Sequence, residues 1–470
     1  MQHLSEEQTM KRALGLFDAT LMVAGSMIGS GIFIVAADIS RNVGSAGWLI
    51  AIWVLTGIMT LIAALSYGEL SAMFPKAGGQ YVYLKEAYSP FVGFLYGWSF
   101  FAVIQTGTIA AVGVAFAKFT AYLIPQVSED MVLFSIGSLH VAPSQLLAIG
   151  IILLLTYINT QGVKSGKWIL TTFTITKLLS LFGLIAFGFL ALKPEIWTAN
   201  WANAWDLHYL SVSGETKPYT FMAALGAIAA AMVGAIFSSD AWNNVTFIAG
   251  EIKNPQRNIG LSLLLGTLIV TLIYILANLV YVGVLPLQAI ASAEKDRVAV
   301  AASGVIFGNI GTVLIALMIM VSTFGCNNGL VLSGARVYHT MAQDGLFFKK
   351  AAHLNAHQVP AFGLWIQFVV AALLCLSGKY GDLLDMISFV VVLFYVLTIA
   401  GIFILRIKQP ATPRPYKALG YPFIPALYIV MGLAFCSLLI VFKPNFTWPG
   451  LLIVCTGVPV YFIWRYIAKK

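Results

Sequence analysis

The 470 residues predict an all-α membrane protein: twelve transmembrane helices, arranged as a five-plus-five inverted repeat with two further helices after it. Three observations carry that expectation. Only 10% of the residues are charged and 60% are hydrophobic, whereas soluble domains carry about 25% charged residues. Uncharged runs long enough to cross the hydrocarbon, about 17–25 residues each, recur from one end to the other. Two of those runs, five apart, are interrupted near their middles by glycine or polar residues, the pattern of an inverted repeat with broken helices.

The first run fills the nineteen residues between Asp18 and Asp38. Others occupy 43–68, 91–117, 144–163, 168–192, 218–239, 259–287, 298–333, 359–378, 386–405, 421–442 and 446–464. The 298–333 run has room for a span and an extension. The expected divisions are a cytoplasmic tail (1–15), a first repeat of helices 1–5 (16–193), an extracellular loop (194–220), a second repeat of helices 6–10 (221–407), and helices 11–12 with a short tail (408–470). Trp197, Trp201 and Trp205 in the extracellular loop predict aromatic packing at the membrane interface. Segment 335–360 reads as a short helix on the cytoplasmic side, and the proline-rich 408–425 as a linker.

The net charge of +9 reflects topology and does not point to nucleic acid. Arg41, Lys193, Lys217, Lys295, Arg297, Lys379 and Lys443 fall on one face, and Lys118 and Lys177 within or at the edge of spans. The rest of the 27 Lys and Arg lie on the other face, with both chain ends. Positive charge marks cytoplasmic loops, so both ends are expected inside. The four cysteines fall in spans, which predicts no structural disulfide. No cleavage site follows helix 1, which reads as a retained span. No metal-ligand spacing and no phosphate-binding loop stand out, so neither metal, cofactor nor nucleotide hydrolysis is expected.

Helix 1 carries Gly25, Gly29 and Gly31 around Ser26 and Ser30; helix 6 carries "GAIFSSDAWNN" at 234–244. In hydrocarbon a helix must satisfy its own N–H and C=O groups, so unwinding is tolerated only against a cavity or ligand. Glycine reaches the dihedrals this needs and admits close approach. Freed N–H groups at the start of an outer half-helix suit an anion, and freed carbonyls at the end of an inner one suit a cation. A zwitterion fits both; close helix packing by small residues is the other use of such glycines. Asp240, at the middle of helix 6, reads as a partner for a cationic group, a titrating group, or a cap for the outer half-helix. Lys177 lies ten residues past Lys167, about 15 Å deep at 1.5 Å per residue, so its ammonium needs buried partners. Carbonyls of helix 1 and the hydroxyls of Ser322 and Thr323 are the candidates.

"GSMIGSGIF" (25–33), "GELSAMFPKAGGQYVYLKEAYSP" (68–90), "FSSDAWNNVTFIAGEIKNPQRNI" (237–259) and "STFGCNNGLVLSGARVYHTMAQDG" (322–345) together resemble the amino acid–polyamine–organocation superfamily, most of all its L-amino-acid transporter branch. The resemblance implies the LeuT-type fold and alternating access. It places an amino-acid substrate on Ile28, Gly29, Ser30, Gly31, Phe237, Ser238, Ser239 and Asp240: carboxylate on the N–H groups around Ser30 and Gly31, amine on carbonyls near Ile28 and Phe237–Ser238, Phe237 covering it from outside. Lys177 matches the helix 5 lysine that stands in place of a sodium ion in sodium-driven relatives, which implies sodium-independent transport. An exchanger is expected, and small or medium neutral amino acids are expected because Ser238, Ser239, Asp240 and Ala241 leave a modest, partly polar pocket. A proton-coupled symporter, a cationic-amino-acid transporter using Asp240 and a non-translocating sensor are the alternatives, and no enzyme activity is expected. Ser238 and Ser239 replace a small residue and an aromatic found in many relatives, so side-chain specificity does not carry over. Animal members join a heavy chain through a cysteine in the helix 3–4 loop; that loop has none here. No disulfide-linked partner is therefore expected, and a bacterial inner membrane fits.

Overall fold

The computed structural model describes residues 12–136, 139–377 and 380–468; the polar start of the chain and Lys379 lie outside them. Helix 1 of the sequence reading is three pieces: α1 (Leu16–Met27), α2 (Gly31–Ile34) and α3 (Ala36–Val43), the last closed by Gly44 in the left-handed conformation, φ 63°. α4 (Ala46–Met73) follows, then α5 (Gln80–Ala87), α6 (Pro90–Ser99) and α7 (Gln105–Leu123), the last two joined through a π turn at Phe100–Ile104. A hairpin of β1 (Phe134–Ile136) and β2 (Leu139–Val141) leads to α8 (Pro143–Thr160) and α9 (Val163–Leu190). The loop beyond holds α10 (Pro194–Ala202) and the antiparallel pair β3 (His208–Leu210) and β4 (Thr216–Pro218). Its tryptophans pack on each other and on the bundle: Trp197 on Trp201 at 5.3 Å, Trp205 on Trp48 at 6.2 Å.

The second half repeats the plan. Helix 6 is α11 (Phe221–Ser238), an irregular stretch, and α12 (Asn244–Phe247). α13 (Pro255–Val284), α14 (Leu287–Ala291), α15 (Val298–Gln343), α16 (Ala361–Ser377), α17 (Tyr380–Lys408), α18 (Phe423–Phe442) and α19 (Pro444–Ala468) complete the bundle. Proline opens α6, α8, α10, α13 and α19, where its missing N–H is no loss and its fixed φ suits the first turn. Among the described residues ten helices are long and apolar enough to cross a membrane. Positions 1 and 9 of the sequence reading hold shorter apolar helices, Leu16–Met27 and Ala361–Leu376. The first is short because the chain unwinds at Ile28.

One expectation is corrected. Residues 335–343 do not form a separate helix on the surface; they continue α15, which bends at Gly308 (φ 69°). Arg336 is the reason. It is fully buried and its Nε donates to Glu251 Oε1 at 3.1 Å, so the polar side of this segment faces the protein interior.

Around that pair the end of the bundle nearest the chain termini is sealed. Ala13 and Leu14 donate backbone N–H bonds to the Glu251 carbonyl, and Lys253 N–H donates to Leu14. Lys85 and Tyr81 of α5 both bond Asp344, each at 2.7 Å. Buried Glu69 of α4 accepts from Arg406 at 3.0 and 2.7 Å and from Ala418 N–H at 2.7 Å, tying α4 to the proline-rich linker. The opposite end is open. A vestibule of about 630 Å³ descends between Asp38, Arg41, Lys118, Asp296, Asp385 and Lys443 to a floor of Ile34, Val35, Val233 and Gly234.

Candidate functional site

The two interrupted helices meet at their breaks. α1 makes its last helical bond from Ile28 N–H to Ala24, and Ile28 itself is extended (φ −74°, ψ 94°). The next helical turn starts at Gly31, so the carbonyls of residues 25–29 need other donors. Side chains from three neighbouring helices supply them. Lys177 Nζ of α9 donates to Gly25 O and Ile28 O, both at 2.6 Å. Cys326 Sγ of α15 donates to Ser26 O at 3.1 Å. Tyr274 Oη of α13 donates to Met27 O at 3.0 Å, and Ser322 Oγ of α15 to Gly29 O at 3.2 Å and Ile28 O at 3.4 Å. Thr323 is not among these donors: its hydroxyl turns back onto its own helix, to Ile319 O at 2.9 Å. Lys177, Ser322, Thr323 and Cys326 are all buried, in the depth of the bundle where an unpaired group is most costly.

Helix 6 contributes a second set. Ser238 Oγ donates to Gly234 O at 2.7 Å, while the Ser238 carbonyl accepts Tyr274 Oη at 2.9 Å. Tyr274 therefore bridges both breaks with one hydroxyl. Gly31 lies against Ser238 so closely that a Cβ on it would stand 1.9 Å from Ser238 Oγ, which explains glycine there. Ser239 and Asp240 close the turn after α11, their N–H groups donating to Ala235 and Phe237 at 3.0 and 3.2 Å. Ala241 then takes φ 62°, a left-handed conformation that side chains disfavour, and α12 starts beyond Asn243. The capping expectation for Asp240 is thus corrected: Asp240 follows α11, the first half of helix 6, and Asn243 occupies the cap position of α12, the second. The Asp240 carboxylate accepts instead from Tyr395 Oη of α17 at 2.5 Å.

Two water-sized cavities, of about 10 and 20 Å³, flank that contact. The first is walled by the π turn, through Phe100 and Ile104, and by Gln80, Gln105, Thr108, Asn243 and Asn244. The second lies toward Thr56, Thr60, Trp242 and Tyr428. Phe237 is buried. The place where the breaks meet is thus polar, backbone-lined and closed, with the vestibule on one side and the ion-paired seal on the other.

A protein-family model described as amino acid permease matches residues 14–466, nearly the whole chain. The chain belongs to that family, within the amino acid–polyamine–organocation superfamily. Among curated relatives of this permease, the serine/threonine exchanger SteT of Bacillus subtilis is 30% identical, over 97% of this chain and 98% of SteT. The human b(0,+)-type amino acid transporter 1 is 28% identical, over 97% and 88% of the two chains. The mouse large neutral amino acids transporter small subunit 2 is 29% identical, over 98% and 82%. These relatives are transporters and an exchanger by name, and the permease chain has the apolar helices of a membrane protein.

Sequence reasoning missed three contributors to the permease's central region and the backbone conformation of a fourth. Tyr274 and Tyr395 are aromatic residues in apolar helices, and their polar tips carried no signal beyond the rule that a buried phenol needs a partner. Cys326 read only as one of four cysteines inside spans, with no structural disulfide expected. Ala241 gave no hint of its left-handed backbone.

Proposed function

We propose that this permease is a sodium-independent exchanger of small or medium neutral L-amino acids, working by alternating access between the two ends of the bundle. The observation that carries the reading is the Lys177 ammonium on the Gly25 and Ile28 carbonyls. Those oxygens would otherwise be ligands for a sodium ion, and a fixed protein cation satisfies them without one. The substrate carboxylate belongs at the N-terminal end of the outer half-helix, around Ser30 and Gly31, where helix N–H groups and dipole favour an anion. The Ile28 carbonyl accepts from Lys177 at 2.6 Å and shares the single Ser322 hydroxyl proton with the Gly29 carbonyl. The amine is therefore assigned to the Phe237 and Ser238 carbonyls, at the end of α11 where helix 6 unwinds. Gly29, Ser239 and Asp240 line the same meeting point.

The frame is read as twelve spans in two repeats, 16–193 and 221–407, with 1–15 as a tail, 194–220 as an outer loop and 408–470 as an appendage. Packing supports it. Helix 1 lies on helix 6, α4 on α13, α7 on α15 and α8 on α16, so four of the five equivalent pairs touch. Both chain ends are assigned to the cytoplasm of a bacterial cell and the vestibule to its exterior, following the charge distribution. The exchanger name of SteT and the chain's lack of a loop cysteine support exchange without a covalent partner.

Uptake of labelled serine into vesicles containing the purified permease tests this. Uptake is expected only when unlabelled amino acid is preloaded, equally in sodium and in choline, and to fall at least about tenfold in Lys177→Ala, whose loss leaves two buried carbonyls unpaired. A second reading, proton-coupled symport, draws on Asp240, a buried carboxylate with no ion-pair partner among the described residues. Uptake into empty vesicles driven by an imposed pH gradient would establish it and overturn exchange.

A further inference from the structure

The side-chain end of the central region is divided by a single contact. Tyr395 and Asp240 appear together in the walls of both water-sized cavities, so their 2.5 Å hydrogen bond stands between the two. The phenol is held in place. Its ring lies edge-on to Tyr67 at 5.8 Å and tilted against Trp242 at 5.1 Å, and Tyr67 and Trp242 pack on each other at 4.8 Å. All four residues are buried. A ring so clamped keeps its hydroxyl on the carboxylate at little further entropic cost.

We propose that Tyr395 is a specificity-determining residue: by holding the Asp240 carboxylate it excludes cationic side chains and leaves hydroxyl- or amide-bearing ones to the polar cavity. The inference rests on the transport reading above and names the side-chain class of its substrate. A carboxylate in the membrane interior would be the strongest lure for a lysine or ornithine ammonium. Here that lure already accepts a charge-assisted bond, and a cation must displace it or share it in a space the size of one water. On the cavity side the other polar groups are neutral. The Gln105 and Asn243 amides and the Thr108 hydroxyl already donate to Leu330 O, Gln80 Oε1 and Ile104 O, whereas Asn244 Nδ2 is buried without a partner among the described residues. An unpaired donor of that kind is what a substrate hydroxyl or amide carbonyl satisfies.

The test compares the permease with Tyr395→Phe and with Tyr395→Phe/Asp240→Asn, reading how much unlabelled lysine, ornithine or serine halves the uptake of labelled serine. Heat stabilisation of each purified variant by the same amino acids gives a binding readout independent of transport. The native permease is expected to ignore lysine and ornithine. Tyr395→Phe keeps the ring and frees the carboxylate, and should bind both at least about tenfold better relative to serine, the scale of a buried charge pair. The double variant should lose that gain. The proposal is overturned if the native permease already takes lysine as well as serine, if Tyr395→Phe gains nothing, or if the gain survives Asp240→Asn. Absence of both serine uptake and serine binding in the native permease would instead sink the transport reading.

Discussion

Gly31, Lys177 and Tyr274 show how a few atoms set the character of the breaks. At Gly31 the hydrogen that replaces a side chain is what lets helix 1 approach Ser238; a methyl group would overlap its Oγ at 1.9 Å and its Cβ at 2.6 Å. Gly31→Ala should therefore destabilise the purified permease by about 1–3 kcal/mol, as overpacking does, and abolish serine uptake. Ser238→Gly in the same chain should restore part of the stability, since only the 3.1 Å approach to the Ser238 Cα then remains. Thermal melting of the two variants decides between this close-approach role and a loose turn, for which alanine would be neutral. Lys177 was legible from its depth alone, because a lone lysine mid-span demands partners. Helix 1 carbonyls were the expected partners, but which two it takes was not legible, since they lie about 150 positions away and only the bundle brings them together.

At the scale of elements, hydropathy located the spans well: the 421–442 run became Phe423–Phe442 and the 259–287 run became Pro255–Val284. Lipid imposes one demand on every residue of a span, and that demand is local enough to read. The polar interruptions at 28–30 and 239–243 were legible for the same reason, as violations of it. The far end of α15 was misread because its polar residues look solvated, whereas Arg336 is buried by its pairing with Glu251. Partnership of that kind is a tertiary fact. Between elements, the bridge at Tyr274 is the contact with the clearest consequence. Tyr274→Phe preserves the ring's packing on Trp53 and removes both hydrogen bonds. Leaving two buried carbonyls short of a donor should lower stability by about 1–3 kcal/mol. Serine exchange should slow while the concentration giving half-maximal uptake changes little; a shift in that concentration with unchanged rate would mean that Tyr274 shapes the binding site instead.

For the whole molecule, the asymmetry between an open vestibule and an ion-paired seal corresponds, under the proposed alternating access, to one of two conformations. Passage to the other side would then require the sealed end to part, where Glu251 pairs with Arg336. Breaking a buried pair by removing one charge strands the other, at about 3–5 kcal/mol. Glu251→Gln is expected to lower the melting temperature and to raise labelling of the seal by a membrane-impermeant reagent, read at a cysteine placed at Ala77, whose carbonyl accepts the Thr340 hydroxyl. Unchanged labelling alongside lowered stability would assign the pair to folding alone.

Tyr274 also bears on economy. Under the alternating access proposed above, a hydroxyl shared by the Met27 and Ser238 carbonyls would act as a gear between the two broken helices, so that neither could swing without carrying the other or releasing its tooth. An empty carrier would then have nothing to replace those bonds during the swing and would stay idle, whereas a loaded one would gain contacts with its cargo that offset them. Such gearing would suppress slippage, the futile reorientation that lets a gradient drain away without useful work.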